Sequence, residues 1–388
     1  MNLEPFLPSP QPPAPSRSPS LDVLIIGGGV IGLSLAWDLA KHGKSVRIID
    51  RGEPGKEASW AGAGILPPAT WQGALHPYDQ LRALASDLHP PWARELSEQS
   101  GIDTGYRQCG GIYLARTPGE AASLIAWAGS AAEEGIEVQR LGERELEASG
   151  VQVQGKENKI AAAFLLPQEA QLRNPRHLQA LRIACERSGI EITAGAEALE
   201  FDIRQGRIEA VNTLAGPSAA KQYCFTSGAW TGQLAARLGI SLGILPIRGQ
   251  MVLFNTNGLS DLSCILSEGS RYLVPRDDGR VLAGSTEEEV GFDKSTTDDG
   301  ISDLVSFARG LVPALDDADI EKTWAGLRPA SFDGLPYLGL LTGLGNAFVA
   351  SGHFRSGLYL SPATAVVMSQ LLRGDQPAID LAPFRVLR

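Results

Sequence analysis

The sequence predicts an α/β fold in which a domain built on a parallel sheet is interrupted by a second, mainly antiparallel α+β domain. Three observations predict it: a strand–helix–strand unit over 22–50, a second α/β segment over 171–230, and antiparallel strand signals over 250–286. Alternating strands and helices favour a parallel sheet covered by helices, whereas strands joined by tight turns favour an antiparallel one. Their order along the chain therefore predicts an insertion.

The strand–helix–strand unit carries the clearest local signal. Two apolar strands, VLII and VRII, flank a helical stretch that opens with the pattern GxGxxG on Gly27, Gly29 and Gly32. These glycines permit a tight turn, close approach to a pyrophosphate, and close packing of helix on strand, respectively. The helix N-terminus presents N–H groups to phosphates, and Asp50 is placed to accept hydrogen bonds from ribose hydroxyls. The unit predicts a dinucleotide site that favours FAD or NAD over NADP, a preference that the neighbouring Arg51 weakens.

The segment that follows, residues 57–66 (EASWAGAGIL), is small and glycine-rich. Its side chains have too little bulk to form a core of their own, and glycine lets other groups approach the backbone closely. We interpret it as bare backbone against which a flat, multi-ring cofactor lies. A flexible loop is the alternative that this composition leaves open.

The second α/β segment begins near Gln171. A helix is predicted over 175–188 with Asn174 as its N-cap. Short strands are predicted near 190–193, 198–203 and 207–212. The apolar strand YCF and the small residues after it, up to Trp230, are predicted to lie beside the first sheet.

The antiparallel signals lie in 250–255 and 271–286. In the second range two strands are joined by DDG at 277–279, a good hairpin turn. Successive side chains of a strand alternate between its faces, which places Tyr272 on the buried face. Its hydroxyl is available to a ligand in one interpretation, and it is an ordinary sheet tyrosine in the other.

Two segments near the C-terminus each place an arginine among apolar and small residues: Arg328 in WAGLRPASFDGLPYLG and Arg355 in ASGHFRSGLYLSPATA. Arginine is rarely buried without an anionic partner, and its planar fork suits a carboxylate. Each arginine is therefore a candidate for binding a substrate carboxylate, with a structural ion pair as the alternative. Ser361 and Pro362 indicate the N-cap and first position of a final helix that ends near Leu372, whose N-terminus can stabilise a negatively charged cofactor.

Composition argues against several classes of function. Against 34 Lys and Arg there are 44 Asp and Glu, a formal charge of −10, which disfavours nucleic acid as a partner. No apolar run is long enough to predict a membrane span. The four cysteines and five histidines lack metal-binding spacing, so the sequence predicts no metal site and reduced thiols in a cytoplasmic protein. Residues 1–20, with seven prolines and four serines, predict a disordered leader.

Five motifs, taken together and in order, resemble the FAD-dependent amine oxidases of the D-amino-acid oxidase type, and among them the glycine oxidases of thiamin biosynthesis. They are GGGVIG, EASWAGAGIL, RYLVPRDDGRVLAGST, WAGLRPASFDGLPYLG and GHFRSGLYLSPATA. The resemblance covers about residues 21–375. It implies a Rossmann-like FAD-binding domain formed by 21–84, 168–240 and 325–388, and a substrate domain formed by 85–167 and 241–324.

The resemblance also implies roles for individual positions. Arg328 matches the arginine that pairs with the substrate carboxylate, Tyr272 a tyrosine near that carboxylate, and Arg355 a second arginine at the site; these three are the predicted catalytic residues. Glu287 departs from the pattern, because some glycine oxidases have a methionine facing the substrate there, which leaves room for a different substrate preference. The residues predicted to bind FAD are Gly27, Gly29, Val30, Ile31, Gly32, Asp50, Arg51, Ala58, Ser59, Ala63, Gly64, Ile65, Ala198, His353, Phe354, Arg355, Ser356, Gly357, Leu358 and Tyr359.

The function that the resemblance implies is oxidation of glycine, or of a similar small amine or amino acid, by hydride transfer to flavin N5. The imine would give glyoxylate and ammonia or feed thiazole synthesis, and molecular oxygen would reoxidise the flavin to yield hydrogen peroxide. FAD is expected to be noncovalent, because neither C-terminal motif contains a cysteine. Relatives form homo-oligomers, so we expect one here. The alternatives are an oxidase or dehydrogenase of a D-amino acid, sarcosine or proline, and a catalytically inactive flavin-binding protein.

Overall fold

Two large sheets of different character organise the part of the chain that the computed structural model describes, residues 21–152, 159–258 and 262–388. The predicted leader lies outside these residues. Along the chain the strands of one sheet alternate with those of the other. This arrangement confirms the predicted α/β fold class.

The first sheet has six strands among the described residues and is mainly parallel. The predicted strand–helix–strand unit supplies two adjacent strands of this sheet, and the strand that leads to Trp230 pairs in parallel with the first of them, as expected. Only the edge pair 337–340 and 347–351 is antiparallel. In spatial order the strands are Tyr337–Leu340, Ala347–Ser351, Gln222–Phe225, Val23–Ile26, Val46–Ile49 and Glu191–Thr193.

The second sheet has eight strands and is antiparallel except where 265–268 pairs with 111–115. The predicted hairpin is confirmed: its strands pair with Tyr272 opposite Gly284. The longest pair, 244–255 with 319–331, carries Arg328 opposite Ile247. In spatial order the strands are Asp319–Ser331, Ile244–Asn255, Arg280–Gly284, Arg271–Pro275, Ile265–Glu268, Gly111–Ala115, Ala162–Leu166 and Gln139–Arg140.

Two small sheets and the helices complete the described structure. One small sheet comprises Glu200–Arg204, Arg207–Thr213 and Gly216–Ser218, and the other Ile65–Leu66, Ala170–Gln171 and Arg107–Gln108. The α-helices are Val30–Lys41, Ala58–Ala61, Pro77–Ser100, Pro118–Glu133, Glu143–Ala148, Asn174–Arg187, Thr231–Arg237, Asp298–Leu311 and Ser361–Arg373. None of these helices is long and apolar enough to cross a bilayer.

The parallel sheet is buried on both faces. Val23 and Ile25 pack against the helices 30–41 and 361–373, whereas Leu24 and Ile26 pack against residues of the three-stranded sheet that follows Glu200. A strand covered on both faces needs apolar side chains at every position, which explains the uninterrupted VLII. The helix 298–311 covers one face of the eight-stranded sheet.

Two helix starts differ from the prediction by one residue. Asn174 and Ser361, expected as N-caps, are the first helical residues, and the N-caps are Arg173 and Leu360. Neither of those N-caps makes a side-chain capping hydrogen bond. The Asn174 amide donates instead to the carbonyl oxygen of Ser59 (2.7 Å). The predicted domain limits stay predictions.

Candidate active site

A cleft of about 520 Å³ lies between the carboxyl ends of the parallel strands and the eight-stranded sheet. This is the edge of an open α/β sheet at which ligands bind. The cleft is lined by all of the predicted catalytic and FAD-binding residues except Gly32. No cysteine lines it among the described residues.

The glycine-rich turn forms one end of the cleft. Gly27 has φ +114°, and a Cβ there would lie 2.7 Å from the carbonyl oxygen of Thr226. A Cβ on Gly32 would lie 2.1 Å from the carbonyl oxygen of Gly27, so this glycine packs helix against turn rather than facing the cleft. A Cβ on Gly29 would have Ser59 Oγ as its nearest atom, at 3.3 Å, and Val30 N donates to the same oxygen (3.0 Å) where the start of the helix lines the cleft.

Asp50 directly follows the strand Val46–Ile49, and its two carboxylate oxygens accept backbone hydrogen bonds. Gly28 N donates to Oδ2 (2.7 Å) and Gly52 N to Oδ1 (2.9 Å), which fixes the carboxylate at the wall of the cleft. The guanidinium of Arg51 stacks on the ring of Trp230, 3.5 Å from its centroid. This end of the cleft offers a carboxylate and a stacked cation, groups suited to a ribose and a phosphate.

The small segment 57–66 lies against Asn174. A Cβ on Gly64 (φ +78°) would meet the carbonyl oxygen of Leu172 at 2.0 Å, and one on Gly62 would meet Asn174 Nδ2 at 2.9 Å. Asn174 Oδ1 is buried without a partner among the described residues. Bare backbone therefore faces the cleft here, as the composition predicts.

The block 353–359 lines the cleft, and its Tyr359 is anchored by hydrogen bonds to the helix 77–100. Tyr359 Oη donates to the carbonyl oxygen of Arg82 (2.9 Å), and His89 Nε2 donates to the carbonyl oxygen of Tyr359 (2.7 Å). Burial lowers the pKa of His353 to about 3, so this ring is neutral. Phe354 has φ +49°, a left-handed conformation that non-glycine residues rarely adopt.

Arg328 reaches the cleft from the strand 319–331. Its guanidinium donates to Ser285 Oγ (2.7 Å) and to the carbonyl oxygen of Thr286 (3.1 Å), both neutral acceptors. Burial lowers its pKa, while the neighbouring Tyr272 acts in the opposite direction. Gly249 makes room for this side chain, because a Cβ there would lie 2.0 Å from Arg328 Nη2.

The arginines that line the cleft differ in their partners. Four form ion pairs with glutamates: Arg51 with Glu57 (3.0 Å), Arg237 with Glu197 (3.8 Å), Arg271 with Glu268 (3.2 Å) and Arg355 with Glu287 (3.4 Å). Arg328, the fifth, has no carboxylate partner among the described residues. A desolvated guanidinium of this kind is a binding site for a ligand carboxylate.

Tyr272 and Arg355 lie beside Arg328. The Tyr272 ring is buried, with its hydroxyl 3.5 Å from Met251 Sδ, and the Arg355 guanidinium lies 6.0 Å from the ring centroid. The three predicted catalytic residues are therefore brought together.

Sequence reasoning missed several lining residues. The pattern around Asn174 indicates only a helix cap, and Gly249 carries no local signal because its role is defined by the side chain of a paired strand. Trp230 follows small residues that were noticed only as a strand end. Its spacing from the strand is the signal that places it at the cleft.

The residues present fit a flavin dinucleotide. The glycine turn and helix N-terminus suit a pyrophosphate, the Gly62 and Gly64 backbone suits a flat ring, and the orphaned Asn174 Oδ1 lies next to that backbone. The unpaired guanidinium of Arg328 suits a carboxylate at the far end. Together these features describe a cofactor site that continues into an anion-binding substrate site.

Comparisons with known proteins agree with this geometry. The family described as DAO, FAD dependent oxidoreductase, matches residues 22–371. The glycine oxidase of Pseudomonas putida is 35% identical over 372 residues, which is 94% of this chain and 98% of that protein. The crystal structure of glycine oxidase from Geobacillus kaustophilus superposes with a TM-score of 0.88 at 33% identity, over 95% of this chain and 98% of that one. The bifunctional protein ThiO/ThiG of Synechocystis is 32% identical over 90% of this chain and 51% of its own length.

Proposed function

Because this chain belongs to the DAO family of FAD-dependent oxidoreductases, we propose that it is a glycine oxidase whose cleft binds FAD at the glycine-rich end and glycine at Arg328. When bound, FAD would supply the redox chemistry, as the acceptor of a hydride from the substrate Cα, with molecular oxygen as the final oxidant and hydrogen peroxide as its product. Glycine becomes an imine that gives glyoxylate and ammonia or feeds thiazole synthesis for thiamin.

The chain's own residues bind and orient the substrate. Arg328 pairs with the carboxylate of glycine, because its half-buried guanidinium has only neutral partners among the described residues. Tyr272 borders the same space, and Arg355 lies above the Tyr272 ring. Fixing the carboxylate limits the positions of Cα and nitrogen, and that orientation is a large part of what the protein contributes to the rate.

The chain's residues also position FAD. Gly27, Gly29, Val30 and Ile31 form the pyrophosphate end, Asp50 and Arg51 hold the adenosine ribose, and Ala198 lies near the same end. Ala58, Ser59, Ala63, Gly64 and Ile65 line the flavin ring, and residues 353–359 surround its edge. Gly32 acts indirectly, by packing the helix on the turn.

The observation that carries this proposal is the guanidinium of Arg328 at the end of a glycine-lined cleft, which has no carboxylate partner in the part of the chain that the structure describes. A small amino acid supplies the missing carboxylate with little bulk. We propose further that the enzyme works in the cytoplasm as a homo-oligomer. Light scattering of the purified protein tests the oligomeric state directly.

The test is a stoichiometry. Purified protein should be yellow and should release FAD on heating. It should convert glycine to glyoxylate, ammonia and hydrogen peroxide in equal amounts, with one molecule of O2 consumed per glycine. Glycine should be compared with sarcosine, D-alanine and D-proline under the same conditions. A flavin-loaded protein that consumes no oxygen with glycine would refute the proposal.

A further inference from the structure

The ion pair between Glu287 and Arg355 places a carboxylate of the chain beside the substrate site. Glu287 Oε2 lies 3.4 Å from Arg355 Nη1, and Arg355 Nη2 donates to the carbonyl oxygen of Ser270 (2.9 Å). Both side chains are partly exposed, at 35% for the arginine and 46% for the glutamate. Arg355 is therefore neutralised by the protein itself.

Glu287 directly follows the two residues that hold Arg328. Arg328 donates to Ser285 and to Thr286, and the carboxylate of the next residue turns to Arg355. Because Arg328 holds the Ser285 hydroxyl and the Thr286 backbone carbonyl, the residue that follows them, Glu287, is kept close to the Arg328 guanidinium. Its charge is close enough to contribute to the electrostatics of Arg328.

The site thus has one cation open to a ligand among the described residues that line it. The other lining arginines are each paired with a glutamate. A ligand with one carboxylate can form an ion pair with Arg328. A second carboxylate on the same ligand would have to displace Glu287 from Arg355 and would be repelled by its charge.

We propose that Glu287 is a specificity-determining residue that rejects amino acids carrying a second carboxylate and restricts the enzyme to compact monocarboxylic ones. This inference rests on the proposed function. At an effective dielectric constant of about 20, like charges about 6–10 Å apart repel enough to change affinity by about tenfold to a hundredfold. A neutral side chain at this position removes that repulsion and frees Arg355 to bind the second carboxylate.

The first test compares the FAD-loaded wild type with Glu287→Gln and Glu289→Gln. The substrates are glycine and iminodiacetate, a glycine whose nitrogen carries a second carboxymethyl group. We expect Glu287→Gln to raise the ratio of kcat/KM for iminodiacetate over glycine by about tenfold or more. Glu289→Gln is the matched control, because Glu289 is exposed two residues away and makes no ion pair in the described part of the chain; there the ratio should stay within about twofold.

The second test measures binding without turnover. The Kd values of acetate and malonate for the FAD-loaded protein are measured by calorimetry. The affinity for malonate should rise relative to that for acetate in Glu287→Gln, whereas Glu287→Asp should still bind malonate weakly. An unchanged preference in Glu287→Gln, or an equal gain in Glu289→Gln, would overturn the proposal. If the wild type does not oxidise glycine, the proposed function fails, whereas the acetate-to-malonate comparison still decides the role of Glu287.

Discussion

Arg328 can bind a substrate carboxylate because no carboxylate of the described residues pairs with it. Its acceptors, the Ser285 hydroxyl and the Thr286 carbonyl, hold the guanidinium in place without neutralising it. Burial then makes the unpaired cation costly, and a substrate carboxylate offsets that cost on binding. The same residue type at Arg355 is already paired, so identical side chains in one cleft do different things.

Substitutions of Arg328 test whether its guanidinium binds the substrate carboxylate. Arg328→Ala should lower kcat/KM for glycine by about 30-fold or more, since truncating one partner of a buried charge pair costs about 2–5 kcal/mol. Arg328→Lys keeps the charge but loses the planar fork, so an intermediate loss is expected. The measurement is steady-state oxygen uptake with FAD content checked by absorbance. An alanine variant as active as the wild type would remove Arg328 from the substrate site.

Gly249 offers a second test at this scale. Gly249→Ala should displace the Arg328 guanidinium, because the new Cβ would stand 2.0 Å from Nη2. We expect at least a tenfold loss of kcat/KM for glycine with FAD binding retained. Gly129→Ala is the control: nothing lies within 4 Å of a Cβ in that helical position, so activity should not change. Equal activity in the two variants would contradict the assigned packing.

The glycine-rich turn shows what an element contributes beyond its residues. The strand, turn and helix are recognisable in the sequence because each signal is local: an apolar run, three spaced glycines and a terminal acidic residue. Gly29 and Gly32 look equivalent in that pattern. The structure separates them, since one faces the cleft and the other packs against Gly27.

Substitutions of the two glycines should therefore have different effects, one on FAD binding and the other on the stability of the apoprotein. Gly29→Ala should keep the apoprotein's Tm close to that of the wild type and weaken FAD binding, because its Cβ would project into the pyrophosphate space. Gly32→Ala should lower the Tm of the apoprotein, because its Cβ would overlap backbone at a cost of about 1–3 kcal/mol or more. Calorimetry of the apoprotein and titration with FAD separate the effects. Identical losses in both variants would refute the distinction.

Long-range contacts mark where the sequence stops being informative. Asn174 bonds to Ser59, a residue 115 positions earlier, and Glu287 meets Arg355 across 68 positions. No periodicity or composition encodes such a pairing, because it depends on how two sheets meet. The site residues recognised from sequence were those carried by motifs, whereas Asn174, Gly249 and Trp230 required the assembled cleft.

At the scale of the whole molecule, buried neutral histidines make the fold sensitive to acid. Burial lowers the pKa of His177 and His353 to about 3 and of His89 to about 4, from 6.5. Below pH 6.5 the unfolded chain therefore binds more protons than the folded one, so the free energy of unfolding decreases as the pH is lowered. Burial raises the pKa of Glu169 to about 7, which favours the folded state at lower pH but is a single opposing group.

The Tm of the FAD-loaded protein should therefore fall between pH 7 and pH 5, each histidine contributing about 2 kcal/mol at pH 5. His177 has no hydrogen-bond partner at either ring nitrogen among the described residues, so His177→Gln removes one of the three contributions. That variant should show a shallower decline by calorimetry. A Tm that does not change over this pH range, or equal slopes in both proteins, would contradict the assignment.

If this fold presents glycine to a flavin, anaerobic titration of the FAD-loaded protein with glycine will reduce the flavin. Without oxygen the electrons stay on the flavin, so its visible absorbance should bleach as glycine is added. Arg328→Ala, at the same concentration, should require far more glycine or fail to bleach. Flavin that keeps its oxidised spectrum with glycine, while sarcosine, D-alanine or D-proline bleaches it, would contradict the claim.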